Sequence, residues 1–156
     1  MQNLLIRNYE INDNDNVRNL HETALRATGA FIEHGVWDDD LQNIHSVYLK
    51  TGGEFIVGTI DEKIVAMGAF KKISDEVAEI KRMRVHPDYQ RNGFGQMIYD
   101  ELEQRARAKD FKKLVLDTTS PQKASQAFYL KNGFVETHRR KNLDGMEFIY
   151  YEKILQ

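Results

Sequence analysis

The chain has 156 residues, 41% hydrophobic and 29% charged, with a net charge of −2. That length suits one domain spanning 1–156, large enough to bury about 68–70% of its unfolded surface, and the near-neutral balance lacks the basic field that nucleic-acid binding uses. The absence of cysteine excludes disulfide frameworks and thiolate metal sites, and the sequence shows neither an apolar run of about 18 residues nor a signal-peptide pattern at Met1 to Arg7, so a cytoplasmic protein without a metal is expected.

In chain order, Asn3 to Tyr9 reads as a first strand, apolar at Leu4, Leu5 and Ile6. Asn12 to Asp15 supply cap residues for a helix through Val17, Leu20, His21, Ala24 and Leu25, which breaks between Ala27 and Gly35. Asp38, Asp39 and Asp40 open a second predicted helix through Leu41, Ile44, Val47 and Tyr48. Their carboxylates are read as cap and dipole partners rather than as a metal site. After Lys50 to Gly53, the stretches Glu54 to Ile60 and Lys63 to Phe70 form a hairpin around Asp61 and Glu62, with Gly68 and Ala69 marking a bulge or a close backbone approach. Val77 to Val85 adds a third strand in a meander, stopped by His86 and Pro87.

A long helix is predicted from Phe94 to Lys109, with Phe94, Met97, Ile98, Leu102 and Ala106 on its apolar face. Lys112 to Thr118 is a short buried strand. A strand, a crossover helix and a further strand should be parallel and right-handed. Ser120 and Pro121 are expected to cap and start a helix running to Lys131, ended by Asn132 and Gly133. Phe134 to Arg140 and Met146 to Ile154 close the chain as a hairpin. The expected fold class is mixed α/β: a mostly antiparallel twisted sheet of about seven strands, one parallel βαβ step, and helices on both faces.

The stretch Glu79 to Gln96 joins a strand, a turn with Gly93 and Gly95, and a helix start. Such a turn brings bare backbone amides and a positive dipole end to one point, which suits anions and phosphates. A Rossmann fingerprint would need a third glycine where Ile98 stands, and a P-loop would need Gly-Lys-Ser/Thr, which is missing. A purely structural turn is the remaining alternative to a ligand site.

Gln90, Gly93 and Gly95 match Gln/Arg-x-x-Gly-x-Gly/Ala, and Tyr129, Lys131, Gly133 and Phe134 match Tyr-x-Lys-x-Gly-Phe. Both motifs, with this order of elements, resemble the GNAT family of N-acetyltransferases. The resemblance covers the whole chain and is strongest from Ala78 to Phe134. It implies an acyltransferase using acetyl-CoA, whose pyrophosphate would meet the amides of Arg91, Asn92, Gly93, Phe94, Gly95 and Gln96. The pantetheine arm would pair with Met83, Arg84 and Val85 like an added strand, where the two parallel strands part. Many members carry an asparagine where this chain has Gln122, so the amide that would hold the arm sits on a longer side chain. Tyr129 would face the leaving sulfur, with Lys131 near a phosphate or simply at the helix end. Glu79, on the signature strand, is the candidate base, ahead of Glu76 and Glu54, while His86 is read as shaping the turn.

The acceptor would be a small-molecule or peptide amine. Phe31, His34, Trp37 and Tyr48 are the candidate lining of its site, each also readable as core, and the basic run His138 to Lys141 lies nearby on the final hairpin. A homodimer is consistent with the family. A non-catalytic acyl-CoA-binding module is the alternative function, against which the intact glycine loop and Tyr129 both argue.

Overall fold

The computed structural model describes residues 3–28 and 36–155. The strands are β1 (Leu5–Asn8), β2 (Glu54–Ile60), β3 (Lys63–Lys72), β4 (Val77–Val85), β5 (Lys113–Thr119), β6 (Val135–Lys141) and β7 (Glu147–Ile154). The helices are α1 (Asn14–Thr28), α2 (Phe94–Ala108) and α3 (Lys123–Lys131). One seven-stranded sheet runs in the order β1-β2-β3-β4-β5-β7-β6. Every neighbouring pair is antiparallel except β4 and β5, the step bridged by α2. The mixed fold expected from the pattern is therefore the one adopted.

The central strands are apolar on both sides because both faces are covered. Phe70, Ile80, Leu114, Phe134 and Tyr151 pack with Ile98 and Leu102 of α2 and Tyr129 of α3. On the other face, Phe55, Val57 and Met67 pack with Val17 and Leu20 of α1 and with Leu41, Ile44 and Tyr48. Strand β6 is exposed throughout, and its Arg and Lys side chains discourage pairing at that edge.

Four local expectations are corrected. The predicted second helix is not α-helical: Val36–Gln42 winds as a 3-10 segment and His45–Leu49 as a π turn. Burying Leu41, Ile44 and Tyr48 on the sheet outweighs regular winding there. Asp40 does not serve as a helix-end partner. Its carboxylate takes a forked ion pair from Arg82 of β4, at 2.9 Å from Nε and 2.5 Å from Nη2. Pro121 lies in a turn rather than in the first turn of α3, since Gln122 and Lys123 donate back to Thr119 and Pro121 and Gln122 is the N-cap. On α2, Met97 is exposed and Tyr99 takes its place in the buried stripe.

Gly68 marks the bulge and also the close approach. Ala66 and Met67 pair with Val85 and Arg84, and Ala69 pairs with Lys81, so Arg82 and Met83 together face the single Gly68. Arg82 has φ of 59°, a left-handed conformation that costs a non-glycine residue roughly 1–2 kcal/mol. The extra residue shifts the strand's alternation. Ala78 and Ile80 point into the α2 side before the bulge, and Met83 and Val85 pack on that side after it.

Helices α2 and α3 meet through a reciprocal amide pair. Gln96 Nε2 donates to Asn132 Oδ1 at 2.7 Å, and Asn132 Nδ2 donates to Gln96 Oε1 at 3.1 Å. Asn132 Nδ2 also reaches the Phe128 carbonyl at 2.9 Å.

A Cβ at Gly68 would lie 2.6 Å from Ile98 Cγ2 and 2.7 Å from Met83 Sδ. Gly68→Ala should therefore destabilise the fold by about 1–3 kcal/mol in denaturant unfolding, and an unchanged midpoint would show that α2 backs away freely. Asn132→Ala should cost about 1–2 kcal/mol. A double-mutant cycle with Gln96→Ala should give a coupling of about 1 kcal/mol, and strict additivity would show that the pair contributes nothing as a pair.

Candidate active site

Strand β4 leaves β5 early. Their ladder joins Val77, Ala78 and Glu79 to Lys113, Leu114 and Val115 and then stops. Beyond it, Met83, Arg84 and Val85 have a partner strand only on the β3 side. A cleft of about 570 Å³ occupies the region next to them. Met83, Arg84, Val85, Gln90, Arg91, Gly93, Phe94, Gly95, Gln96, Gln122 and Tyr129 all line it, with Lys131 and with Leu25 of α1. Ten of the residues expected from the signature motifs, plus Gln122, thus converge on one space.

The loop that ends β4 is held by its own side chains. The His86 ring accepts from the Asp88 amide at 3.1 Å and so caps the turn Pro87–Tyr89, the shaping role expected of it. Gln90 Nε2 donates to the Val85 carbonyl at 3.3 Å, and Asn92 Nδ2 donates to the Tyr89 carbonyl at 3.1 Å. Asn92 is not among the lining residues. Gly93, the N-cap of α2, has φ of 80°, and an added Cβ would meet nothing within 4 Å. The first turn of α2 carries no acidic side chain, so its free amides and dipole face the cleft uncompensated. With Arg91 and Lys131 also in the lining, the cleft suits phosphate groups. The side chain of Gln96 is held by Asn132, which leaves its backbone amide for a ligand.

Tyr129 is 7% exposed and packs edge-on against Phe128 and Phe134. It is both a core residue and a wall of the cleft. Burial pushes its hydroxyl well above the ordinary tyrosine range, against the opposing charge of Arg84. The ring therefore stays protonated at neutral pH and acts as a hydrogen-bond donor. Gln122 Oε1 accepts from the Thr119 amide at 3.0 Å and from its hydroxyl at 2.9 Å. The carbonyl half of this amide is thereby engaged in the turn, leaving the NH₂ half for other partners.

Glu79 does not line the cleft. It sits at the last ladder pair before the strands part, on the face opposite Ala78 and Ile80, with Lys81 Nζ at 3.9 Å. Glu54 is held by Arg105 at 3.2 Å and Lys109 at 3.8 Å, and Glu76 is exposed in a turn. Tyr48 is wholly buried and donates to Asp40. Phe31 and His34 lie outside the described residues, as does the side chain of Trp37. In the basic run, His138 stacks on Tyr150 with ring centroids 4.3 Å apart, and Arg139 pairs with Glu136 and Glu147. Among the described residues, no group of His, Cys, Asp or Glu is placed to hold a metal ion, and no helix is long and apolar enough to cross a membrane.

Asp117 is a residue that sequence reasoning passed over. It stands two positions beyond Val115 on β5, on the same face as Glu79 and close to where the strands part. Solvent reaches it, yet the surrounding protein removes enough water to push its carboxyl above the usual range, against the charge of Lys81. The signal was a lone acid at the alternating position of Leu-Val-Leu-Asp, which an apolar strand core does not call for.

The acetyltransferase (GNAT) family model matches residues 14–134. An uncharacterised N-acetyltransferase of Escherichia coli K12, YedL, is 32% identical over 77 residues, 48% of each chain, so the match spans about half the length of that curated relative. A crystal structure of an acetyltransferase from Streptococcus agalactiae 2603 superposes with a TM-score of 0.89 at 26% identity, covering 99% of this chain and 100% of the other. A GNAT family acetyltransferase from Elizabethkingia anophelis, solved with acetyl-CoA bound, shares the fold with a TM-score of 0.74 at 20% identity, covering 99% and 100%. The chain belongs to the GNAT family of acetyltransferases.

Proposed function

We propose that the whole chain, 1–156, acts as one N-acetyltransferase domain that carries an acetyl group from acetyl-CoA to an amine by direct attack within a ternary complex. The observation that carries this reading is the convergence of both signature motifs on one cleft, lined by the first turn of α2 and by Tyr129. The amides from Arg91 to Gln96, with Asn92 contributing backbone only, would hold the pyrophosphate. The open side of Met83 to Val85 would align the pantetheine arm.

An attacking amine must be neutral. A lysine-like amine of pKa near 10.4 is neutral in only about one molecule in 2,500 at pH 7, a deficit of roughly 4.6 kcal/mol. Glu79, at the parting of β4 and β5, would take that proton through a water, since its carboxylate stands outside the cleft. Tyr129 would donate a hydrogen bond to the departing thiolate. Full proton transfer from an ordinary tyrosine to a thiolate is already uphill by roughly 2 kcal/mol, and the raised hydroxyl here makes it more so. Stabilisation of charge on sulfur is therefore its role.

A screen of chemically varied amines with acetyl-CoA, read by thiol release, tests the reading. Turnover with at least one amine is expected, whereas tight binding of CoA without turnover across the set would make the chain a binding module. With the acceptor so found, Tyr129→Phe should lower turnover about tenfold or more while calorimetry shows acetyl-CoA affinity largely kept. Glu79→Gln should lower activity most at pH values below the pKa of the acceptor amine. A pH–rate profile identical to that of the unmodified protein would remove Glu79 as the base.

A further inference from the structure

Among the described residues, Arg82 alone has left-handed backbone inside a strand. A glycine would adopt that conformation freely, yet the position holds a large side chain, so the side chain has a use that outweighs the strain. Its guanidinium crosses to Asp40, 42 residues earlier in the chain, and makes two hydrogen bonds to one carboxylate. Asp40 also accepts from the hydroxyl of Tyr48, which is wholly buried. Solvent reaches only 12% of the Arg82 side chain and 15% of the Asp40 side chain. Burial alone would raise the Asp40 carboxyl, but the Arg82 hydrogen bonds and charge, with the Tyr48 hydroxyl, hold it below its ordinary value.

The consequence lies in the next three residues. Arg82 is the first residue of the bulge, and Met83, Arg84 and Val85 line the cleft directly after it. The bulge sets which way those residues face, and Asp40 grips the bulge from the segment between α1 and β2. We propose that Asp40 is a positioning residue, acting through Arg82 to hold the cleft strand in the register that receives the pantetheine arm of acetyl-CoA. This rests on the acetyl-CoA reading given above. The ion pair ties β4 to the segment between α1 and β2, and the bulge it grips leads into Met83 to Val85 rather than into the first turn of α2, so it should govern the arm and not the nucleotide.

Calorimetry with two probes tests this: acetyl-CoA, and phosphoadenosine diphosphate, which is the nucleotide half of the same molecule. Asp40→Asn and Arg82→Gly should each weaken acetyl-CoA binding about tenfold while the nucleotide half changes by less than about twofold. The double variant should be no worse than either single one, since the two residues act as a unit. Arg82→Lys should recover only part of the loss, because an ammonium cannot fork onto a carboxylate. If Asp40→Asn fails to fold, Arg82→Gly still carries the test, glycine being at ease with that backbone. Unchanged acetyl-CoA affinity in Arg82→Gly would overturn the proposal, and so would equal losses for both probes, which would mark a general structural role. An unmodified protein that binds neither probe would overturn the acetyl-CoA reading itself, and this inference with it.

Discussion

Strands β4 and β5 share three ladder pairs and then part, and most of the remaining structure is arranged to keep that opening in place. A parallel pair that separates leaves backbone groups without partners, a cost that a fold bears only where something else meets them. Here β3 holds β4 from the other side through an antiparallel ladder with a bulge, and β7 holds β5 along its full length. Helix α2 fills the angle behind the opening with Phe94, Ile98 and Leu102, and α3 places Tyr129 across it. The glycine loop then sits at the mouth because β4 ends there and α2 begins there.

Electrostatics follow the same division. The lining of the cleft combines the uncompensated amides of the α2 start with Arg91 and Lys131, and includes a buried tyrosine that remains protonated. Glu79, Asp117 and Lys81 gather beside the line where the strands separate, on the face opposite Ala78 and Ile80.

Much of this was legible in the residues. Strong alternation and turn residues located all seven strands to within about two positions, and Gly68 announced the bulge because a small residue amid Val, Ile and Met needs a reason. The signature motifs carried the residues of the cleft, since Gly93 needs its positive φ whatever surrounds it. What escaped depends on contacts between distant segments. Nothing near Asp40 reveals that Arg82 will claim it, so local reasoning assigned the carboxylate to a helix end. The same contacts wind Val36–Gln42 and His45–Leu49 away from the α-helix that their spacing predicts. The parting of β4 and β5 also has no mark in the strands themselves and came only through family resemblance.

The irregular winding of those two segments has a mechanical consequence. 3-10 and π turns have poorer hydrogen-bond geometry than an α-helix and do not propagate cooperatively, so their backbone opens locally at lower free energy than that of α2 or α3. The sheet consequently has one stiff face and one compliant face. Its two cores contain different residues, which allows side chains on the compliant face to be exchanged without repacking the other. Side chains there can change while the α2 face stays constant, and the Asp40–Arg82 pair is the point at which such change would first be felt across the sheet.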